Sequence, residues 1–409
     1  MDPGLRRGSD GEREPDGVTH KSDVLVIGGG LIGCATAWRL ARAGAQVTLL
    51  EAGDINAGAS GQNAGSLHFQ IERRFIENGE ALAEQAARIV ALNRLAITDW
   101  RGLEAELGAD LHVSMAGGLM VAETPEQVAM LEAKVRRESA EGLASRLIDG
   151  DQARAVAPCL APQILAACHL PDEGHADPRA VTPAFAAAAR AEGADIRTRT
   201  AVQAIRREAG AFHVGTADAA FRADRVLIAC GAWTAHVAAL ANLHMPLYPV
   251  ALLMNATERT APVLPQLIQH VGRRLSMKQA YAGNILIGGG WPSRLAQKAD
   301  GGFDLGAKAS IIQASLAGNL RAAIDTVPMV ERLNLIRSWT GVTAISADQL
   351  PIVGEVPRMP GLFVAGGGSA FTLGPTFARL LARAMGGERV AELDLLSPAR
   401  FEHLNSFMG

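Results

Sequence analysis

The sequence predicts an α/β fold in which a parallel, Rossmann-type unit is interleaved along the chain with a sheet-rich α+β unit. Three observations predict it. A strand, a glycine loop, a helix and a second strand follow one another from Asp23 to Leu50. Two further strand-to-glycine turns, Val226–Gly231 and Leu362–Gly368, bring back the same pattern much later. The stretches of about 104–170 and 241–334 interrupt those segments, and their glycine run, Gly288-Gly289-Gly290, is followed by Trp291-Pro292 instead of a helix.

The opening unit reads strand Val24–Ile27, helix of about Leu31–Ala43, turn at Gly44 and strand Gln46–Leu50. Its loop, Gly28-Gly29-Gly30-Leu31-Ile32-Gly33, is a G-x-G-x-x-G. Gly28 permits the tight turn, Gly30 lets a pyrophosphate approach the backbone, and Gly33 lets helix and strand pack closely. Phosphates belong at the helix N-terminus, by the amides of Leu31 and Ile32, where unpaired N–H groups and the dipole favour an anion. Glu51, 23 residues past Gly28, is placed with Ala52 to accept ribose hydroxyls and to repel a 2′-phosphate.

Composition narrows the partners. The 409 residues hold 42 acidic against 39 basic side chains, a formal charge of −3, so nothing favours a nucleic-acid backbone. Cys34, Cys159, Cys168 and Cys230 form no C-x-x-C pair, so no thiolate metal site is expected and a reducing, cytoplasmic setting is. Residues 1–22 mix Asp, Glu, Arg and Gly and read as a disordered lead-in. The longest uncharged runs are broken by triple glycines, and no membrane span is predicted.

After Glu51 the chain gives Ala57-Gly58-Ala59-Ser60-Gly61-Gln62-Asn63-Ala64-Gly65-Ser66, small and polar, where an NAD-binding domain would continue with a helix. Such a segment can lie flat against a large cofactor. From Val24 to Gly65 the chain resembles the FAD-dependent amine oxidoreductase family of D-amino-acid oxidase, glycine oxidase and sarcosine oxidase. The resemblance implies that Ser60, Gly61, Gln62, Asn63, Ala64, Gly65, Ser66 and Leu67 run along a flavin. It extends through Asp177-Pro178-Arg179 and the helix to Ala191, then Thr200-Ala201-Val202, where the Val202 backbone would meet adenine. Asp224 to Trp233 resembles the strand and turn that close over the dinucleotide, with Cys230, Gly231 and Trp233 in contact.

Near the C-terminus, strand Leu362–Ala365 leads into Gly367, Gly368, Phe371, Thr372, Leu373 and Gly374, and Pro375 opens a helix. That helix N-terminus would stabilise negative charge on the pyrimidine end of a reduced flavin. Gly341 is also expected at the cofactor. The resemblance implies FAD-binding segments 23–103, 171–240 and 335–409 and a substrate domain from 104–170 and 241–334. Covalent relatives use a Cys near the C-terminal domain, and none lies beyond Cys230, so the FAD is expected to be noncovalent.

Within the family the chain is most similar to the β subunits of bacterial multi-subunit opine, D-hydroxyproline or proline dehydrogenases, through Gly61–Gln70, Ser276–Gln279 with Ile285–Pro292, and Phe371–Pro375. This implies oxidation of the C–N bond of a small amino acid or secondary amine by hydride transfer to flavin N5, followed by imine hydrolysis. It also implies an α subunit and a small electron-transfer subunit, with FMN and an iron–sulfur cluster on or between them. A stand-alone oxidase releasing peroxide, a noncatalytic flavin-binding subunit and a NAD-linked dehydrogenase are the alternatives. Glycine oxidase and D-amino-acid oxidase bind the substrate carboxylate with an Arg in Gly-x-Arg-Pro, whereas this chain reads Gly341-Val342-Thr343-Ala344. Arg73, Arg74, Arg273 and Arg274 are the substitutes available. His68, Lys278, Tyr248 and Arg274 are the catalytic candidates.

Overall fold

A computed structural model describes residues 19–408. Two eight-stranded sheets organise it. The first runs, in spatial order, Ile352–Glu355, Leu362–Gly366, Ala220–Ile228, Thr19–Ile27, Val47–Leu50 and Asp195–Arg197, with Ala211–Gly215 and Ala204–Glu208 added antiparallel beside Ala220–Ile228. Its central pairings are parallel. Parallel strands covered on both faces read as near-continuous apolar runs, and Val24 to Ile27 and Val226 to Ile228 do so throughout, Val47 to Leu50 with only the buried Thr48 between. The helices Leu31–Arg42, Pro178–Ala191 and Gly374–Met385 share one core with this sheet, Trp38 packing on Phe185.

The second sheet runs Leu335–Ser346, Leu247–Arg259, Asn284–Gly288, Ser276–Gln279, Leu267–His270, Gly118–Ala122, Ala166–Leu170 and Arg146–Asp149. All its pairings are antiparallel except Leu267–His270 with Gly118–Ala122. The helix Gln313–Thr326 packs on its outer face, where Met277, Ile285 and Ile287 meet Ala322 and Ala323. No helix among the described residues is long and apolar enough to cross a membrane.

Two boundaries differ from the sequence expectation. Residues 1–18 of the expected lead-in lie outside the described residues, but 19–22 are strand: Thr19 to Ser22 pair with Ala220 to Ala223, and His20 stacks on Phe221. The strand Leu335–Ser346, expected with the FAD-binding segments, instead pairs with Leu247–Arg259 from Leu247↔Ser346 to Thr257↔Leu335 and so belongs to the second sheet.

A buried ionic network ties the second sheet to the segment after Leu67. Glu173 accepts from the Phe69 and Gln70 N–H groups at 3.0 and 3.1 Å and from Gln70 Nε2 at 2.6 Å. Glu138 accepts from the Ile71 N–H at 2.6 Å and pairs with Lys134 at 2.7 Å. Lys134 also donates to Gln70 Oε1. Burial pushes the Glu173 carboxyl up to about 7, opposed by the donors facing it. Removing one partner of such a pair strands a charge in a low-dielectric interior. Lys134→Met is therefore expected to destabilise the chain by about 3–5 kcal/mol. An unchanged midpoint in chemical denaturation would show that the network contributes nothing.

Candidate functional site

The glycine loop is built by close approach. Gly28 holds φ +114°, and a Cβ there would stand 2.4 Å from the Ala229 carbonyl oxygen. A Cβ on Gly33 would stand 2.0 Å from the Gly28 carbonyl oxygen, so the helix Leu31–Arg42 can sit this close to its strand only with glycine. Ser60 Oγ accepts from the Leu31 N–H at 3.0 Å. Helix geometry leaves the following N–H groups, on Ile32 and Gly33, without intrahelical partners.

Glu51 is locked at the end of its strand, with Gly29 N–H donating at 2.6 Å to one oxygen and Gly53 N–H at 2.7 Å to the other. Each oxygen keeps a lone pair for a ribose hydroxyl. Ala52 beside it is exposed, and Val202 is half-buried against the neighbouring core. Cys230 donates its thiol to the Ile27 carbonyl at 3.1 Å, and burial pushes its pKa up, so it is held as a neutral thiol. Gly231 and Trp233 form the short turn after it, with Trp233 against Gly58.

The polar segment forms the short helix Ala59–Gln62. Asn63 closes it, donating to the Ala59 and Ser60 carbonyls and accepting from Gly65 N–H at 2.6 Å. Trp339 Nε1 donates to the Gln62 carbonyl at 2.8 Å, and Gly341 packs on Gln62, which anchors the loop to the second sheet. Gly65 holds φ +76° and lets the Ala176 carbonyl approach. Ser66-Leu67 then pairs with Gly174-His175.

The C-terminal loop reaches the same place. Gly374 packs against Leu31, so the N-termini of the helices Leu31–Arg42 and Gly374–Met385 converge. Two positive helix ends and a glycine backbone surface facing one cradle fit a diphosphate-bearing cofactor. Thr372 Oγ1 accepts from the His68 N–H at 3.1 Å, and its carbonyl accepts from Trp100 Nε1 at 2.7 Å. Phe371 packs on Trp100, Gly367 holds φ +116°, and Gly368 lies against the Arg74 guanidinium.

Of the four catalytic candidates, the structure brings two together. Lys278 Nζ lies beside Gly65 and donates to the Ala176 carbonyl at 3.1 Å. Two residues earlier on the same strand, Ser276 Oγ bonds His68 Nε2 at 2.9 Å. Burial lowers the Lys278 pKa to about 7, with Asp177 opposing and Arg179 adding to the shift. Burial also lowers His68, against the pull of Glu72, and so favours the neutral imidazole. Glu72 itself is held down to about 2: burial raises it, but the Arg74 and His68 charges and the hydrogen bonds from Arg74 and Ser369 together outweigh this. Tyr248 is 58% exposed, on a strand separated from that of Lys278 by Asn284–Gly288. Arg274 lines a different cleft.

The candidate carboxylate-binding arginines are mostly engaged. Arg73 pairs with Glu77, Arg74 with Glu72, and Arg273 with Glu123 and Asp325. Sequence reasoning missed Ser276 and the residues Glu173, Glu138 and Lys134. Lys134 and Glu138 stand at helical i,i+4 spacing, which by itself reads as a surface pair.

Comparison with known proteins agrees with this geometry. The chain is similar to glycine oxidase of Geobacillus kaustophilus, 29% identical over 86% of this chain and 88% of that one. The crystal structure of glycine oxidase from that organism superposes with a TM-score of 0.79, at 26% identity, over 93% of this chain and 98% of that one. A subunit of the opine oxidase of Rhizobium meliloti is 27% identical over 94% of this chain and 98% of that one. The L-proline dehydrogenase structure from P. horikoshii shares the fold with a TM-score of 0.81, at 23% identity, covering 94% of this chain and 99% of that one. A family model described as FAD dependent oxidoreductase (DAO) matches residues 23–384, and the chain belongs to that family of FAD-dependent amino-acid and amine oxidoreductases.

Proposed function

We propose that this chain is the catalytic β subunit of a dehydrogenase complex that oxidises the C–N bond of a small secondary amine carrying a carboxylate, of the opine, D-hydroxyproline or proline type. The observation that carries this reading is the end-to-end similarity to the opine oxidase subunit of Rhizobium meliloti, which spans 98% of that protein's length. The segment Gly341–Ala344, without the arginine of the glycine-oxidase pattern, supports the same direction. In this reading residues 23–103, 171–240 and 347–409 hold FAD, and 104–170 with 241–346 cover the substrate. Companion subunits, with FMN and an iron–sulfur cluster on or between them, would carry electrons onward.

Bound FAD supplies the hydride acceptor. The chain's own residues do the rest. Glycine amides and two helix N-termini hold the diphosphate and favour negative charge. The Ala57–Leu67 segment, fixed by Asn63 and Trp339, forms a wall that needs no rearrangement. Lys278 Nζ, neutral above about pH 7, can take the proton from a substrate ammonium. His68, bonded through Nε2 to Ser276, is kept in one orientation.

The test is an anaerobic flavin-bleaching screen of the purified chain with opines, D- and L-proline derivatives, sarcosine and glycine. Bleaching by a secondary amino acid, with little peroxide released in air, is the expected result. Rapid peroxide release from the isolated chain would favour the stand-alone oxidase that the glycine oxidase similarity suggests. No bleaching by any amine would leave the noncatalytic subunit.

A further inference from the structure

A cleft of about 480 Å³ opens where the helix Arg73–Glu77, the turn before Ser276 and the helix Gln313–Thr326 meet. No residue of the glycine loops that face the cofactor lines it. Four guanidinium groups surround it, those of Arg73, Arg273, Arg274 and Arg321. Three carboxylates answer them: Glu77 pairs with Arg73 at 2.6 Å, Glu123 with Arg273 at 2.7 Å, and Asp325 with both Arg273 and Arg321 at 2.8 and 3.1 Å. One positive charge is left over.

It falls on Arg274, whose guanidinium donates to the Gly290 carbonyl at 3.4 Å and, among the described residues, meets no carboxylate. Arg73 also lines the cleft, and its Nε is buried without an acceptor among the described residues. Burial and the nearby Arg274 charge both disfavour a charged Arg73, partly offset by Glu77, so an anion between the two arginines would relieve the site. The wall is aromatic. Trp291 donates from Nε1 to the Arg274 carbonyl at 2.6 Å, and its ring stands 2.2 Å from where a Cβ on Gly318 would be, so glycine at 318 makes the room for the indole.

We propose that this cleft binds a mononucleotide-like phosphate monoester, in which a sugar or sugar-alcohol chain joins the phosphate to a planar ring, the phosphate between Arg73 and Arg274 and the ring on Trp291. Guanidinium groups meet phosphate oxygens in a fixed fork, and the three outward oxygens of a phosphate ester can accept from two guanidinium groups on separate elements at once, for which a planar carboxylate is less suited. The volume suits a mononucleotide-sized ligand. The assignment is independent of which amine the flavin oxidises.

The test is calorimetric titration of the FAD-loaded chain with AMP, FMN, inorganic phosphate and benzoate. AMP or FMN should bind saturably, inorganic phosphate more weakly and benzoate least. Arg274→Ala should weaken the phosphate ester about ten- to hundredfold. Trp291→Leu should weaken AMP and FMN but not inorganic phosphate, and both variants should keep their flavin absorbance. Added salt should weaken binding in the intact chain, a readout that needs no variant to fold. Absence of saturable binding below about 10 mM, affinity indifferent to salt or to Arg274→Ala, or benzoate binding as tightly as AMP would each overturn the proposal.

Discussion

Gly33→Ala is expected to be purified largely without FAD and to melt well below the parent chain. The added methyl carbon would stand 2.0 Å from the Gly28 carbonyl oxygen, where no Cβ fits, and the atom it meets is backbone that cannot rotate away. Either the helix Leu31–Arg42 moves off its strand or the loop opens. Overpacking of this kind costs about 1–3 kcal/mol in a core. The functional loss is greater, because the displaced groups are the first-turn amides of the cradle. Losing one or two charge-assisted hydrogen bonds to the diphosphate lowers FAD affinity by about ten- to several-hundredfold. Flavin absorbance per chain and equilibrium dialysis read this directly. A variant that retains stoichiometric FAD at the parent's affinity would show that the cofactor does not depend on this helix end.

The same contact explains why the cofactor unit is legible in the sequence. Gly28, Gly30 and Gly33 are glycine because neighbouring backbone occupies the space of a side chain, or must be approached by a ligand, and such requirements leave a local signature. Glu51 and the Pro at the start of the helix Gly374–Met385 are equally local. The second sheet leaves a fainter trace. Leu335–Ser346 reads as belonging to the following segment, because its partner, Leu247–Arg259, lies far back in the chain and only their pairing decides its membership. The polar Thr19–Ser22 reads as a tail for the same reason: its place in the sheet comes from backbone bonds to Ala220–Ala223, which composition does not encode.

The site divides along similar lines. His68 and Lys278 are legible because they stand in motifs of the family, and the fold brings both to the Gly65–Ser66 turn and the Ser276–Gln279 strand. Tyr248 and Arg274 are candidates by residue type alone, and the fold sends them elsewhere. Glu173, Glu138 and Lys134 look like surface charges in sequence. Their meaning appears only once three consecutive N–H groups, of Phe69, Gln70 and Ile71, are seen to end on two buried carboxylates. Those bonds fix the chain just beyond His68, so the helix Pro125–Ala140 and the turn after the strand Ala166–Leu170, both beside the second sheet, position a residue of the cofactor loop from behind.

Lys278→Met should retain FAD, lose about a hundred- to a thousandfold in kcat, and gain stability. The two effects share one cause. Lys278 is 2% exposed, and burial lowers its pKa from 10.5 to about 7. Because the folded value lies below the unfolded one, the unfolded chain binds the extra proton between about pH 7 and 10.5. The cost of burying the charged amine is therefore complete below pH 7 and fades as the pH rises toward 10.5. Methionine removes that cost, by an amount on the order of 1–4 kcal/mol, at the expense of the bond to the Ala176 carbonyl. The melting temperature should rise most at pH 6 and least at pH 10. In catalysis the sign is opposite: the neutral amine, present above about pH 7, is the form that accepts a proton. The parent's kcat/KM should climb through an inflection near 7, and the variant's profile should lack it. A purely structural lysine would give a variant whose stability shifts while the inflection stays, and that outcome would remove Lys278 from the chemistry.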